Sequence, residues 1–103
     1  MKKPIRALEA NAVPKGSMKV MTVGDKRIVI INVNGEFYAM DDTCTHAHCS
    51  LGEDGFLDGN VLMCGCHGGQ FDAVNGKALA MPAVEDLKTY NVSTRSGMLY
   101  IRL

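Results

Sequence analysis

Runs of β-branched, aromatic and other apolar residues alternate along this chain with short polar breaks. The breaks carry turn chemistry: Gly24-Asp25, Asn34-Gly35, Asp58-Gly59, Asn75-Gly76 and Ser96-Gly97. Such pairs supply the positive φ that tight β-turns require. The clearest hairpin joins 26–33 to 36–40 across Asn34-Gly35, and a second joins 87–94 to 98–103 across Ser96-Gly97. Residues 17–23 are expected to pair ahead of the first hairpin, and Phe56-Leu57 against 61–63 across Asp58-Gly59. No window of helical length keeps a 3.6-residue period, apart from a turn near 8–12, so the predicted class is all-β. Met18, Met21, Met63 and Met98 fall in these runs and are expected to fill the core.

A chain of 103 residues makes one domain with a modest core and leaves no room for a separate catalytic domain. No stretch approaches the roughly 18 apolar residues of a membrane span, and residues 1–8 are too short and too charged for a signal peptide. A soluble, cytoplasmic protein is therefore expected. Neither GxGxxG nor GxxxxGK[ST] occurs, so nothing points to a bound nicotinamide, flavin or nucleotide. The 11 acidic and 11 basic residues balance, but not locally. Asp41, Asp42, Glu53, Asp54, Asp58 and Asp72 lie between 41 and 76 without one Lys or Arg, which predicts an acidic field over that segment. The basic remainder lacks the interleaved aromatics of a nucleic-acid-binding face.

Inside the acidic window, Cys44-Thr45-His46 and Cys64-Gly65-Cys66-His67 offer thiolates and imidazoles from two short segments, the second rich in glycine. Two Cys and two His satisfy tetrahedral zinc, which is one reading. Zinc fingers of that composition usually set two Cys on one knuckle and two His on a helix, whereas here each segment mixes the two types. Read as C-x-H followed by C-x-x-H, the pattern resembles that of Rieske [2Fe-2S] proteins. The resemblance spans nearly the whole chain, although its specific residues run only from Cys44 to Phe71.

That resemblance implies an antiparallel β-sandwich base, 1–40 and 77–103, with a small cluster-binding lobe, 41–76, inserted in it. It implies that Cys44 and Cys64 hold an inner iron that stays ferric, while His46 and His67 hold the outer iron that takes one electron. Imidazole in place of two thiolates makes the cluster less negative and lifts its potential into a range of about −150 to +300 mV. His48 does not fit the pattern and is read as a neighbour of the ligands. Gly65, Gly68 and Gly69 serve either as plain turn residues or to bring N–H groups close to the cluster sulfurs. Met81-Pro82 stands where family members often carry a proline loop over the cluster, though an ordinary proline between strands is the other reading.

Cys49 and Cys66 occupy positions that form a disulfide in cytochrome bc-type members, a pair that the ferredoxins of ring-hydroxylating dioxygenases generally lack. Either they are bonded here or, as a cytosolic setting favours, they are free thiols. Gly69 and Phe71 replace the Ser and Tyr whose hydroxyls raise the potential in high-potential members, which implies a low-potential type. With 3 His in all and two in the ligand pattern, a second two-His-one-carboxylate iron site cannot be assembled, and the catalytic subunit of a Rieske oxygenase is set aside. The implied function is a soluble one-electron carrier, not itself an enzyme. It would pass electrons from a flavin-dependent NAD(P)H reductase to a terminal oxygenase through the acidic lobe. The alternatives are a small Rieske subunit of a larger oxidoreductase such as nitrite reductase and, more remotely, a zinc-stabilised interaction module.

Overall fold

The computed structural model describes residues 3–43, 49–65, 68–81 and 85–103. Its elements are almost all strands: β1 (Ile5–Glu9), β2 (Met18–Val23), β3 (Lys26–Val33), β4 (Glu36–Asp41), β5 (Phe56–Asp58), β6 (Val61–Met63), β7 (Gln70–Asp72), β8 (Ala78–Ala80), β9 (Thr89–Arg95) and β10 (Met98–Arg102). A 3-10 turn at Ala10–Ala12 and a single helical turn, α1 (Leu51–Asp54), complete the set. Six strands form one antiparallel sheet in the order β1-β10-β9-β4-β3-β2, and four form a second in the order β5-β6-β7-β8. The edge strands β1 and β2 of the larger sheet touch, so that sheet curls like a barrel. The expected sandwich is thus a curled six-stranded sheet with a small four-stranded sheet packed on it.

The β3–β4 hairpin pairs Val33 with Glu36 across Asn34-Gly35. Both turn residues take positive φ, 56° and 97°, as a two-residue hairpin turn demands. Ser96 and Gly97, at 52° and 77°, do the same between β9 and β10. Asn32 fixes the first turn from inside, accepting from the Gly35 N–H at 2.8 Å and donating to the Val13 carbonyl at 2.7 Å.

β3 explains how the two sheets share one frame. Its run Ile28-Val29-Ile30-Ile31 is buried on both faces, so it reads as continuous rather than alternating hydrophobicity. Ile28 and Ile30 join Val23, Ala39, Leu99 and Ile101 inside the curled sheet. Val29 and Ile31 point the opposite way, into a second core with Met40, Leu51, Leu62, Cys64, Phe71 and Leu87. That second core lies between the sheets and seats the end of β6. Met40 is the methionine wholly buried there; Met18, Met21, Met63 and Met98 are only half-buried, so they fill the margins and not the centre.

Candidate metal centre

β6 and β7 pair through Val61↔Asp72, Leu62↔Phe71 and Met63↔Gln70, which leaves Cys64 to Gly69 as their connection. The described part of this loop folds back on itself. The Cys64 N–H donates to the Gly69 carbonyl at 2.7 Å, and the Gly68 N–H donates to the Cys64 carbonyl at 3.0 Å. Cys64 is a free thiol, 2% exposed, at the edge of the core between the sheets. Gly65 has a steric reason to be glycine that the sequence did not reveal: a Cβ there would lie 1.6 Å from the Asp54 carbonyl oxygen. The end of α1 therefore presses directly on the second ligand segment.

The first ligand segment leaves β4 and returns to α1. Thr43 and Ser50 pair as an antiparallel bridge, so the loop between them starts and ends at one place. Asp42, fully buried, stands at that place. Its carboxylate accepts from Arg27 Nε at 2.9 Å, from the Ser50 hydroxyl at 2.6 Å and from the Gly52 N–H at 2.8 Å. Arg27 also pairs through Nη2 with Glu53 on α1. The hydrogen bond to Asp42 is the chief cause that raises the pKa of Arg27 above the ordinary arginine value. One residue earlier, Asp41 accepts from the Tyr90 hydroxyl at 2.5 Å, and burial followed by that bond raises the Tyr90 pKa.

Of the four ligands expected from the sequence, Cys64 is placed as described, whereas Cys44, His46 and His67 lie outside the described residues, as do His48, Cys66 and Pro82. Cys49 is half-buried and disulfide-bonded, with its partner outside the described residues. Gly69 is buried and holds Cys64 through its carbonyl; Phe71 is completely buried in the same core as Cys64. Met81 is 79% exposed.

The acidic window is less uniformly charged than its sequence suggests. Arg27 reaches in from β3 and pairs with both Asp42 and Glu53, offsetting one of their two charges, Asp41 is engaged by Tyr90, and Asp72 accepts from the Val74 N–H at 2.8 Å within its own turn. Asp54 and Asp58 are the carboxylates that stand exposed with no such engagement described. Sequence reasoning missed Arg27 altogether, since a residue so distant along the chain leaves no local signal. Asp42 did leave one, standing two positions before Cys44.

Comparison with known proteins agrees with this geometry. The family model described as Rieske [2Fe-2S] domain matches residues 3–91. The ferredoxin component of the naphthalene 1,2-dioxygenase/salicylate 5-hydroxylase systems of Ralstonia sp. is 37% identical, over 88% of this chain and 86% of its own length. Among solved structures, the Sphingomonas yanoikuyae B1 ferredoxin superposes with a TM-score of 0.92 at 31% identity, covering 98% of this chain and 99% of that one. A chain from the complex of reduced oxygenase and oxidized ferredoxin in carbazole 1,9a-dioxygenase gives a TM-score of 0.90 at 31% identity, with 99% and 94% covered. The described donor suits a [2Fe-2S] cluster. Cys64 is not tied up in a disulfide, and it is held by backbone bonds at the mouth of a glycine-rich loop next to the apolar core.

Proposed function

Because the chain belongs to the Rieske [2Fe-2S] domain family, we propose that it is a one-electron carrier serving a terminal oxygenase, fed by a flavin-dependent NAD(P)H reductase. The observation that carries this reading is the free, buried Cys64 at a loop poised for metal, in a chain similar almost end to end to ferredoxin components of dioxygenase systems. Cys44 and Cys64 serve as thiolate ligands, and His46 and His67 as imidazole ligands, of one cluster. A cluster so held supplies a single reversible electron. The chain's own residues then fix the two loops, keep the thiolate side against the apolar core and present the lobe 41–76 to partners. The last strand of the small sheet, Ala78–Ala80, follows that segment in the chain. The proposed setting is cytoplasmic. Among the described residues no helix is long and apolar enough to cross a membrane.

Absorption and EPR spectra before and after chemical reduction, with iron, sulfide and zinc assays, test the cofactor. A red-brown protein whose reduced form has the low average g value of a His-ligated cluster is expected, and a colourless zinc protein would sink the reading. Reconstituted transfer from reductase to oxygenase tests the role. Constant-stoichiometry co-purification with a large subunit would instead favour the nitrite-reductase type of assembly.

Asp54 and Asp58 give the lobe a negative rim, and a basic patch on each partner would be steered to it. The transfer rate should fall severalfold, by about threefold or more, between low and physiological salt as the interaction is screened. Charge reversal at Asp54 and Asp58 should remove most of that dependence and leave the spectrum unchanged. Glu53 is a poorer choice for reversal because it pairs with Arg27. A rate indifferent to ionic strength in the unaltered protein would contradict electrostatic steering.

Cys49 pairs with Cys66 in this reading, joining the first ligand loop to the second. In the chain-entropy model such a closure stabilises by about 3 kcal/mol. Mass spectrometry after non-reducing alkylation should recover a single peptide pair linking these cysteines. Recovery of both as alkylated thiols from freshly made, cluster-loaded protein would remove the bond from the account. Cys49→Ser should lower thermal stability and hasten cluster loss while still permitting assembly.

A further inference from the structure

We propose that Asp42 is the positioning residue of the first ligand loop, a buried clamp that holds the two ends of segment 43–50 together and so presets the loop that carries Cys44 and His46. The inference rests on the ligand assignment above, but its structural half stands alone. On the entering side of the loop is Asp42 itself; on the leaving side are Ser50, Leu51 and Gly52. Three bonds cross between them: the Ser50 hydroxyl to Oδ2 at 2.6 Å, the Gly52 N–H to Oδ1 at 2.8 Å, and the Leu51 N–H to the Asp42 carbonyl at 2.8 Å, the last belonging to the Thr43↔Ser50 bridge. Ser50 in turn accepts from the Glu53 N–H at 3.1 Å, capping α1.

A fully buried carboxylate is costly unless it is paired and hydrogen-bonded. Here Arg27 supplies the counter-charge to Oδ2 at 2.9 Å, and the Asp42 N–H is bound by the Arg27 carbonyl at 3.1 Å. Because Arg27 belongs to β3, the strand whose buried residues enter both cores, the clamp is tied to the packed frame of the base. Its second arm, to Glu53, holds the leaving side as well. Gly52 makes the close approach feasible: a Cβ there would lie 2.2 Å from Val20 Cγ2 and 3.2 Å from Asp42 Oδ1. A loop whose ends are already joined has less freedom left to lose when its donors close on a metal. Residues that orient ligands from behind in this way typically change metal retention by about ten- to a hundredfold.

The test compares Asp42→Asn with Tyr90→Phe in the cluster-loaded protein. The asparagine keeps an acceptor for Gly52 but puts an amide N–H2 donor where Arg27 and Ser50 now donate, so it accepts from neither. The phenylalanine removes the bond to neighbouring Asp41 and leaves the loop ends alone. Asp42→Asn should speed backbone hydrogen exchange in residues 50–53 and cluster release to a chelator by about tenfold each, and should shift the g values of the reduced protein. Tyr90→Phe should lower the melting temperature without changing any of the three. If Asp42→Asn does not accumulate as folded protein, Ser50→Ala and Arg27→Gln each remove one bond to the carboxylate and should give a smaller change in the same direction. Equal exchange in Asp42→Asn and the unaltered protein, or equal release from Asp42→Asn and Tyr90→Phe, overturns the clamp. Unaltered protein without iron overturns the cluster reading instead, and the exchange comparison still decides the clamp.

Discussion

Alanine at Cys64 should give a folded but colourless protein. The thiol is unbonded and 2% exposed, at the point where β6 runs into the glycine-rich loop, so no other described group can take its place at that spot. The lost side chain is small, and its removal from a core margin costs about 1–2 kcal/mol. The sheets should therefore persist, as circular dichroism will show, while the visible absorption and the iron and sulfide content vanish. Cys44→Ala, His46→Ala and His67→Ala should behave alike, because each removes one of four bonds to a two-iron group and leaves an open coordination position. His48→Ala should keep its colour. Loss of the spectrum in His48→Ala with retention in His46→Ala would mean that the first loop is read in the wrong register.

How much of this was visible in the sequence depended on whether the information was local. The β3–β4 and β9–β10 hairpins were legible because Asn34-Gly35 and Ser96-Gly97 impose their turns through backbone φ alone. Asp58-Gly59 marked the β5–β6 hairpin one residue early: Asp58 pairs with Val61, and the turn is Gly59-Asn60, with Gly59 at a φ of 61°. β1, β7, β8 and α1 were not legible. Ile5–Glu9 is mostly exposed and finds its strand state by pairing with β10, from the other end of the chain. Ala78–Ala80 has little strand preference and is recruited by β7, and Leu51–Asp54 is too short to show a helical period. Chemistry divided along the same line. The C-x-H and C-x-x-H segments carry their candidate donors side by side, so a ligand set could be proposed from local sequence. The link between Arg27 and Asp42 exists only after β3 and β4 have paired, with Ile28 opposite Asp41, and the close contact between Gly65 and Asp54 only after the lobe has packed. Charge counted along 41–76 could not tell which carboxylates are engaged for that reason, since the one arginine that pairs with two of them comes from outside the window.

The midpoint potential should lie near the low end of the Rieske range, about −150 mV, and Gly69→Ser with Phe71→Tyr should raise it by roughly 100 mV. A hydroxyl that donates to a cluster or ligand sulfur favours the reduced, more negative state, and each such bond contributes about 1–2 kcal/mol. Neither Gly69 nor Phe71 has a hydroxyl to give. Their surroundings are suited to the change: Gly69 is already bonded through its carbonyl to the Cys64 N–H, and Phe71, opposite Leu62 on β6, shares the core of Cys64. A tyrosine hydroxyl introduced there is buried, and leaving it without a partner would cost about 1–3 kcal/mol of stability. A sulfur acceptor would offset that loss, so the double variant should gain potential with little change in melting temperature. The carboxylates of the lobe press the potential down as well, but Arg27 opposes two of them and Asp54 and Asp58 are screened by solvent. The missing hydroxyls should therefore outweigh the surface charge, and Asp54 and Asp58 reversal should move the midpoint much less than Gly69→Ser with Phe71→Tyr. Protein-film voltammetry on the three proteins separates the terms. A midpoint well above zero in the unaltered protein would remove both the hydrogen-bond argument and the case for a carrier that feeds oxygen activation, because a high potential suits the oxidation of a quinol instead.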